Sequence, residues 1–111
     1  MQNPKFSIFK SSVNSQYYFR LRSANGEIIL NGEGYQAKQS CINAIASVKL
    51  NSTIDARYER KDSSSSYTFN LKAANGEIIG KSESYTSAYG RENGIVAVKR
   101  DAPYAPTEDL S

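Results

Sequence analysis

The side chains that could do chemistry are few. The chain has no histidine and a single cysteine, Cys41. That removes the commonest general base, the commonest metal ligand, and any serine–histidine or cysteine–histidine nucleophile pair. Carboxylates recur as Glu27 with Glu33 and Glu77 with Glu83, and paired carboxylates can serve acid–base catalysis. These alternate with Arg20, Arg22, Lys72 and Lys81 on strand-like segments, where cross-strand ion pairing or plain solvation accounts for them. Cys41 falls on the apolar side of a helical pattern and is expected to be a buried structural thiol. No spacing matches a calcium loop, a zinc site or a phosphate-binding glycine loop. The sequence therefore assigns no catalytic residue, no metal site and no cofactor, and the protein is read as a non-enzyme. What remains is Tyr18, Arg20 and Arg22, an aromatic and two cations at every second position.

The elements that must position those residues are written twice. ANGEII occurs at 24–29 and again at 74–79, and the match extends outward at an offset of fifty. Between 16–49 and 66–99, 15 of 34 positions are identical, which marks an internal duplication. Asn25-Gly26 and Asn75-Gly76, flanked by β-formers, predict two-residue type I′ hairpin turns. That turn pairs Ser23 with Ile28, Leu21 with Leu30 and Phe19 with Gly32. One sheet face then carries Tyr17, Phe19, Leu21, Ile28 and Leu30, with Tyr67, Phe69, Leu71, Ala73 and Ile78 as counterparts. The other, solvated face carries Tyr18, Arg20, Arg22, Ile29, Asn31 and Glu33, matched by Thr68, Asn70, Lys72, Ile79, Lys81 and Glu83. Ile29 and Ile79 are apolar where alternation calls for polar, so Tyr18, Arg20, Arg22, Ile29, Lys72, Ile79 and Lys81 form the candidate binding face.

Each copy has a preceding strand, FSIFK at 6–10 and RYERK at 57–61, and a following helix at 37–50 or 87–100. The helices place Cys41, Ala44, Ile45 and Val48, and Gly94, Ile95 and Val98, at helical spacing. Ser87 or Thr86 can cap the second helix. Gly94 costs helix propensity, which points to a close backbone approach. One copy alone covers a three-stranded sheet with a single helix, which is thin for independent stability. Residues 1–111 are accordingly expected to form one domain of two repeats, about 5–56 and 57–110, sharing a core about an approximate twofold axis.

Hydrophobic residues at 39% and charged residues at 23% fit a soluble globular chain rather than a disordered one. No window approaches a membrane span and no signal peptide is evident, so a cytoplasmic, monomeric protein is expected. The net charge of +3 is too small to specify nucleic acid. The polar face has three possible uses: a solvated surface, contact with a protein or small ligand, and, behind these, weak charge-driven binding of single-stranded nucleic acid. The identity of any partner is unknown.

The pattern F-x-I-F-K, Y-x-F-x-L-K/R-x-A-N-G-E-I-I, E-x-Y and I-x-x-V-K, in tandem over residues 5–100, resembles the YegP-like family of small bacterial proteins of unknown function. The resemblance implies an α+β fold of two tandem β(3)-α-β repeats in one antiparallel sheet, a helix per repeat, with swapped C-terminal strands. Those strands would be 52–56 and 104–110, the second weakened by Pro103 and Pro106. The chain departs from the pattern at Arg91, which stands where a small or apolar residue is expected opposite Cys41. The family offers no catalytic or binding residue to carry over.

Overall fold

A computed structural model describes residues 3–111. The elements run β1 (Lys5–Lys10), β2 (Tyr17–Arg22), β3 (Ile28–Asn31), α1 (Lys38–Asn51), a 3-10 turn (Asp55–Arg57), β4 (Tyr58–Asp62), β5 (Tyr67–Lys72), β6 (Ile78–Lys81), α2 (Ala88–Asp101) and β7 (Thr107–Asp109). All seven strands join one sheet in the order β4-β5-β6-β3-β2-β1-β7. The fold is α+β, with both helices on one face.

The order reads symmetrically outward from β6-β3, and the pairing there locates the axis. Asn31 lies opposite Lys81, its own counterpart fifty residues on. The polar side chains repeat the relation: Asn31 donates to Glu83 at 3.2 Å, while Lys81 pairs with Glu33 at 3.3 Å. This is the reciprocal pattern of an isologous contact, realised inside one chain.

Beneath the helices one continuous core spans both repeats, including Phe6, Phe19, Leu21, Leu30 and Val48 from the first and Phe69, Leu71, Ile95 and Val98 from the second. The helices cross the axis: α1 packs on β2, β5 and β6, and α2 on β5 and β3. Neither repeat buries its apolar face without the other. At the centre, Leu30 fills the space left by Gly80, where an added Cβ would lie 2.7 Å from the Leu30 side chain. Gly94 meets the expected packing demand, since a Cβ there would overlap the Tyr85 phenol. Ser87 caps α2 by accepting from the Gly90 N–H at 3.0 Å, whereas Ala37 before α1 makes no such bond.

Three expectations need correction. The Asn-Gly turns are not type I′, because Gly26 (φ +85°) and Gly76 (φ +86°) have positive φ but Asn25 and Asn75 do not. Instead the Gly26 N–H donates to the Ser23 carbonyl at 2.9 Å and the Ser23 N–H to the Glu27 carbonyl at 2.9 Å, closing a three-residue loop with glycine in the left-handed position. Asn25 Oδ1 accepts the Glu27 N–H at 3.0 Å, which locks the asparagine in place. The loop is thus one residue longer than expected, and Arg22, not Ser23, faces Ile28.

A bulge between Leu21 and Arg22 then restores the outer register, so that Leu21 still pairs with Leu30. The bulge leaves Ile29 as the extra residue and turns it inward, because the two residues of a bulge share a side of the strand. Ile29 is 5% exposed and Ile79, in the equivalent bulge, 7%. Both belong to the core and not to the polar face.

The third correction concerns the ends of the repeats. Thr107–Asp109 does cross to the first repeat, pairing parallel with β1. Residues 52–56 form no such strand. They enter the 3-10 turn and lead straight into β4, held by Arg57 Nε donating to Asn51 Oδ1 at 3.0 Å and Tyr58 Oη donating to the Ser52 carbonyl at 2.6 Å. With only residues 52–57 between helix and strand, the tail of the first repeat becomes the head of the second.

Candidate functional site

The polar face of the sheet is assembled by strand alternation. In the first repeat, β1 presents Lys5, Ser7 and Phe9, and β2 presents Arg22, Arg20 and Tyr18 directly opposite them. Phe9 and Tyr18 stack with ring centroids 5.7 Å apart and planes at 16°. The Arg20 guanidinium lies 4.4 Å from the centroid of the Phe9 ring, a cation–π geometry that fixes its plane without neutralising its charge. Arg22 donates to the Gly26 carbonyl at 3.0 Å. Among the described residues neither arginine forms an ion pair. Lys5 does, with Glu108 of β7 at 3.2 Å. Lys5, Phe9, Arg20, Arg22, Glu108 and Leu110 surround an open depression of about 470 Å³.

The same face of the second repeat is neutralised. Register places Glu59 where the first repeat has Ser7, and Lys61 where it has Phe9. Glu59 accepts from Lys72 at 2.9 Å and from Asn70 at 3.0 Å, and Lys61 lies 3.8 Å away. These donors, Lys72 first, hold the Glu59 carboxyl below the usual range. Lys81 is committed to Glu33 across the axis. Of the seven residues expected on the binding face, the structure brings together Tyr18, Arg20 and Arg22. It places Lys72 and Lys81 farther along the same face in ion pairs, and Ile29 and Ile79 in the core. Phe9 and Lys5 belong to the cluster and were missed. Phe9, in FSIFK, is the one aromatic of that strand out of phase with Phe6 and Ile8, and that phase was the available signal.

The other reactive groups are structural. Cys41 is fully buried, and burial pushes its thiol up to about 11. Its counterpart Arg91 is also buried, and reaches under β4 to the Asp62 carboxylate and, at 3.3 Å, the Lys61 carbonyl. Glu27 and Glu77 have no hydrogen-bond or ion-pair partner through their side chains among the described residues, in accord with solvation. A second hollow of about 330 Å³ lies where Pro4 meets Tyr104 and Pro106. The charges at its wall, Arg100 and Asp101, already pair at 2.8 Å. No group of three or more His, Cys, Asp or Glu able to hold a metal ion occurs among the described residues. No helix among them is long and apolar enough to cross a membrane.

The arrangement defines a tandem-repeat sheet module with one neutralised and one cationic half. The family described as a domain of unknown function (DUF1508) matches twice, over residues 12–59 and 62–109, and the chain belongs to that family. UPF0339 protein YegP of Escherichia coli (strain K12) is 47% identical over 60 residues, covering 54% of each chain. A UPF0339 protein in the ptx operon 5′ region of Stutzerimonas stutzeri is 46% identical over 60 residues, 54% of this chain and 53% of that one. These matched segments span about half of each relative's length. Over the whole fold, the solution NMR structure of a UPF0339 protein from Shewanella oneidensis superposes with a TM-score of 0.91 at 41% identity, covering 98% of this chain and 92% of that one. The NMR structure of YegP from E. coli, a protein of unknown function, gives 0.91 at 42% identity, covering 99% and 95%.

Proposed function

We propose that the protein is a non-enzymatic binding module whose first repeat takes an anionic partner, a carboxylate- or phosphate-bearing protein segment or small ligand, on its polar sheet face. The observation that supports this is the pair Arg20 and Arg22, on one strand face with no carboxylate partner among the described residues, beside a stacked aromatic pair. A guanidinium without a counter-ion on a rigid strand is set up for bidentate recognition of a planar anion. Single-stranded nucleic acid is the second reading, favoured by the alternation of arginine and aromatic. It ranks lower because Tyr18 and Arg20 already cover the Phe9 ring, leaving little open π-surface for bases. The free thiol of Cys41 fits a reducing compartment, and we place the protein in the cytoplasm.

The test gives Arg20 and Arg22 the residues that the second repeat carries there, Arg20→Asn with Arg22→Lys. A fluorescent acidic peptide and a single-stranded oligonucleotide are titrated at two salt concentrations. The parent protein is expected to bind the peptide, with affinity falling at least tenfold in the double variant and unchanged in Lys72→Ala. Tighter binding of the oligonucleotide, with a steep salt dependence, would favour nucleic acid instead. No saturable binding of either probe at low salt would overturn the proposal.

A further inference from the structure

The two edges of the sheet are finished differently. The outer edge of β1 is covered by β7, but β4 ends the strand order, with no strand of the described residues beyond it. The Ser63 N–H donates to the Ser66 carbonyl at 2.8 Å. By alternation, Glu59 and Lys61 therefore bond to β5, while the backbone groups of Tyr58, Arg60 and Asp62 point outward. Among the described residues, only the Tyr58 N–H of these is already used, by the Asp55 carbonyl.

We infer that this edge is a self-association surface, where β4 of one chain pairs antiparallel with β4 of a second copy about a twofold axis through Arg60. Three features support that occupant. The first is charge. With Arg60 opposite its own copy, Glu59 of each chain faces Lys61 of the other. This is a non-hydrogen-bonded pair, the closest side-chain approach in an antiparallel ladder. Each Arg60 is already neutralised by Glu92 at 2.9 Å and Asp55 at 3.0 Å, so the two meet without net repulsion. Charges on an edge strand ordinarily prevent pairing; these become complementary once the strand is reversed.

The second feature is the apolar flank. On α2, Glu92 and Lys99 reach toward the edge, to Arg60 and Asp55. Val96 lies one turn from each, and Tyr89 one turn before Glu92, so all four share a helix face. Val96 is 56% and Tyr89 78% exposed. The equivalent face of α1, beside the covered edge, carries Gln39, Ile42, Ala46 and Lys49. Ile42, 40% exposed, is its one large apolar residue, against two beside the open edge.

The third feature is the backbone of the edge itself. Four backbone hydrogen bonds, the Arg60 and Asp62 N–H groups of each chain with the Arg60 and Tyr58 carbonyls of the other, would make the sheet continuous over fourteen strands, twice the seven of one chain. This departs from the monomer expected from sequence.

Sedimentation equilibrium of the full chain from about 10 μM to about 1 mM tests it, a range that spans weak, transient association. The expected result is a concentration-dependent monomer–dimer equilibrium. Lys61→Glu sets two carboxylates against each other at both cross-strand pairs of the dimer, and Glu59→Lys sets two ammonium groups against each other there. Each should weaken association at least tenfold. Mixing the two variants in equal amounts should regain a heterodimer, since every cross-strand pair is then complementary. Lys61 is exposed and bears little on folding, so it serves if Glu59→Lys fails to fold. A monomer throughout the range would leave the edge to a strand from another protein and overturn the inference. So would a dimer that is indifferent to Lys61→Glu.

Discussion

At the axis the first repeat has Leu30 where the second has Gly80, and on the polar face it has Ser7 where the second has Glu59. Each pair occupies equivalent places in the two halves of the sheet, yet the differences are of opposite kinds. Leu30 and Gly80 are complementary: one side chain fills the room the other vacates, and neither residue would serve at both places. Ser7 and Glu59 are divergent: each is complete within its own repeat, and the exchange of a hydroxyl for a carboxylate decides whether the neighbouring cations are neutralised. Duplication therefore bound the cores together while it freed the surfaces to differ.

The harshest way to break this comparison is to remove one side of it. A fragment of residues 1–56 loses β5 and β6, on which α1 packs, and exposes one face of an apolar sheet. It is expected to be unfolded or to dimerise, by circular dichroism and light scattering. A stable folded monomer would mean that the core is not shared. A smaller effect comes from the axis. Gly80→Leu should destabilise by about 3 kcal/mol through overpacking against Leu30, read from denaturant unfolding. The exchanged pair Leu30→Gly with Gly80→Leu should recover most of that loss. If the double variant is no better than Gly80→Leu alone, the two positions are not interchangeable across the axis.

The smallest effect separates the two ends of the sheet by pH. Asp55, bonded to Lys99 and Arg60, is lowered from 3.8 to about 2. Asp109, accepting from Ser111 and Lys38, is likewise lowered to about 2. A carboxyl whose folded pKa lies below its unfolded value contributes stability in full above the unfolded value and loses it as pH falls through the folded one. The melting temperature is therefore expected to be flat above about pH 5 and to decline between about pH 4 and pH 2. Asp55→Asn should remove part of that slope at the β4 end, and Asp109→Asn part of it at the β7 end. A slope unchanged in both variants would assign the acid sensitivity elsewhere.

Most of the scaffold was legible because it rests on periodicity and repetition. Phe19, Leu21, Leu30, Ile45 and Val48 announce their burial by spacing, and the offset of fifty carries the assignment to Phe69, Leu71, Ile95 and Val98. The errors arose where one inserted residue offsets another. Asn-Gly is compatible with both a two-residue and a three-residue loop, and the local letters do not choose between them. The bulge that cancels the extra residue leaves the distant pair Leu21–Leu30 unchanged, so only Ile28 and Ile29 register the difference. The site was legible in its cations but not in their isolation. That Arg20 lacks a carboxylate depends on Ser7 in a separate strand, and on Glu108, far along the chain, being held by Lys5.

The short strand at the C-terminus also orders events in time. Phe6 and Thr107 are 101 residues apart, and closing a loop of that length costs about 4 kcal/mol of chain entropy if attempted from a disordered chain. Three residue pairs whose β7 members are all exposed cannot meet that cost. The strand can dock only onto a sheet that is already assembled, when the ends have been brought close for other reasons, and it should be the first element to let go. Hydrogen exchange at the Leu110 amide, which donates to the Ile8 carbonyl at 2.8 Å, is therefore expected to be faster than at the amides of β2 and β5. An opening of this clasp would part Glu108 from Lys5, so the charge of the cationic half of the sheet is tied to the docking of its own chain end.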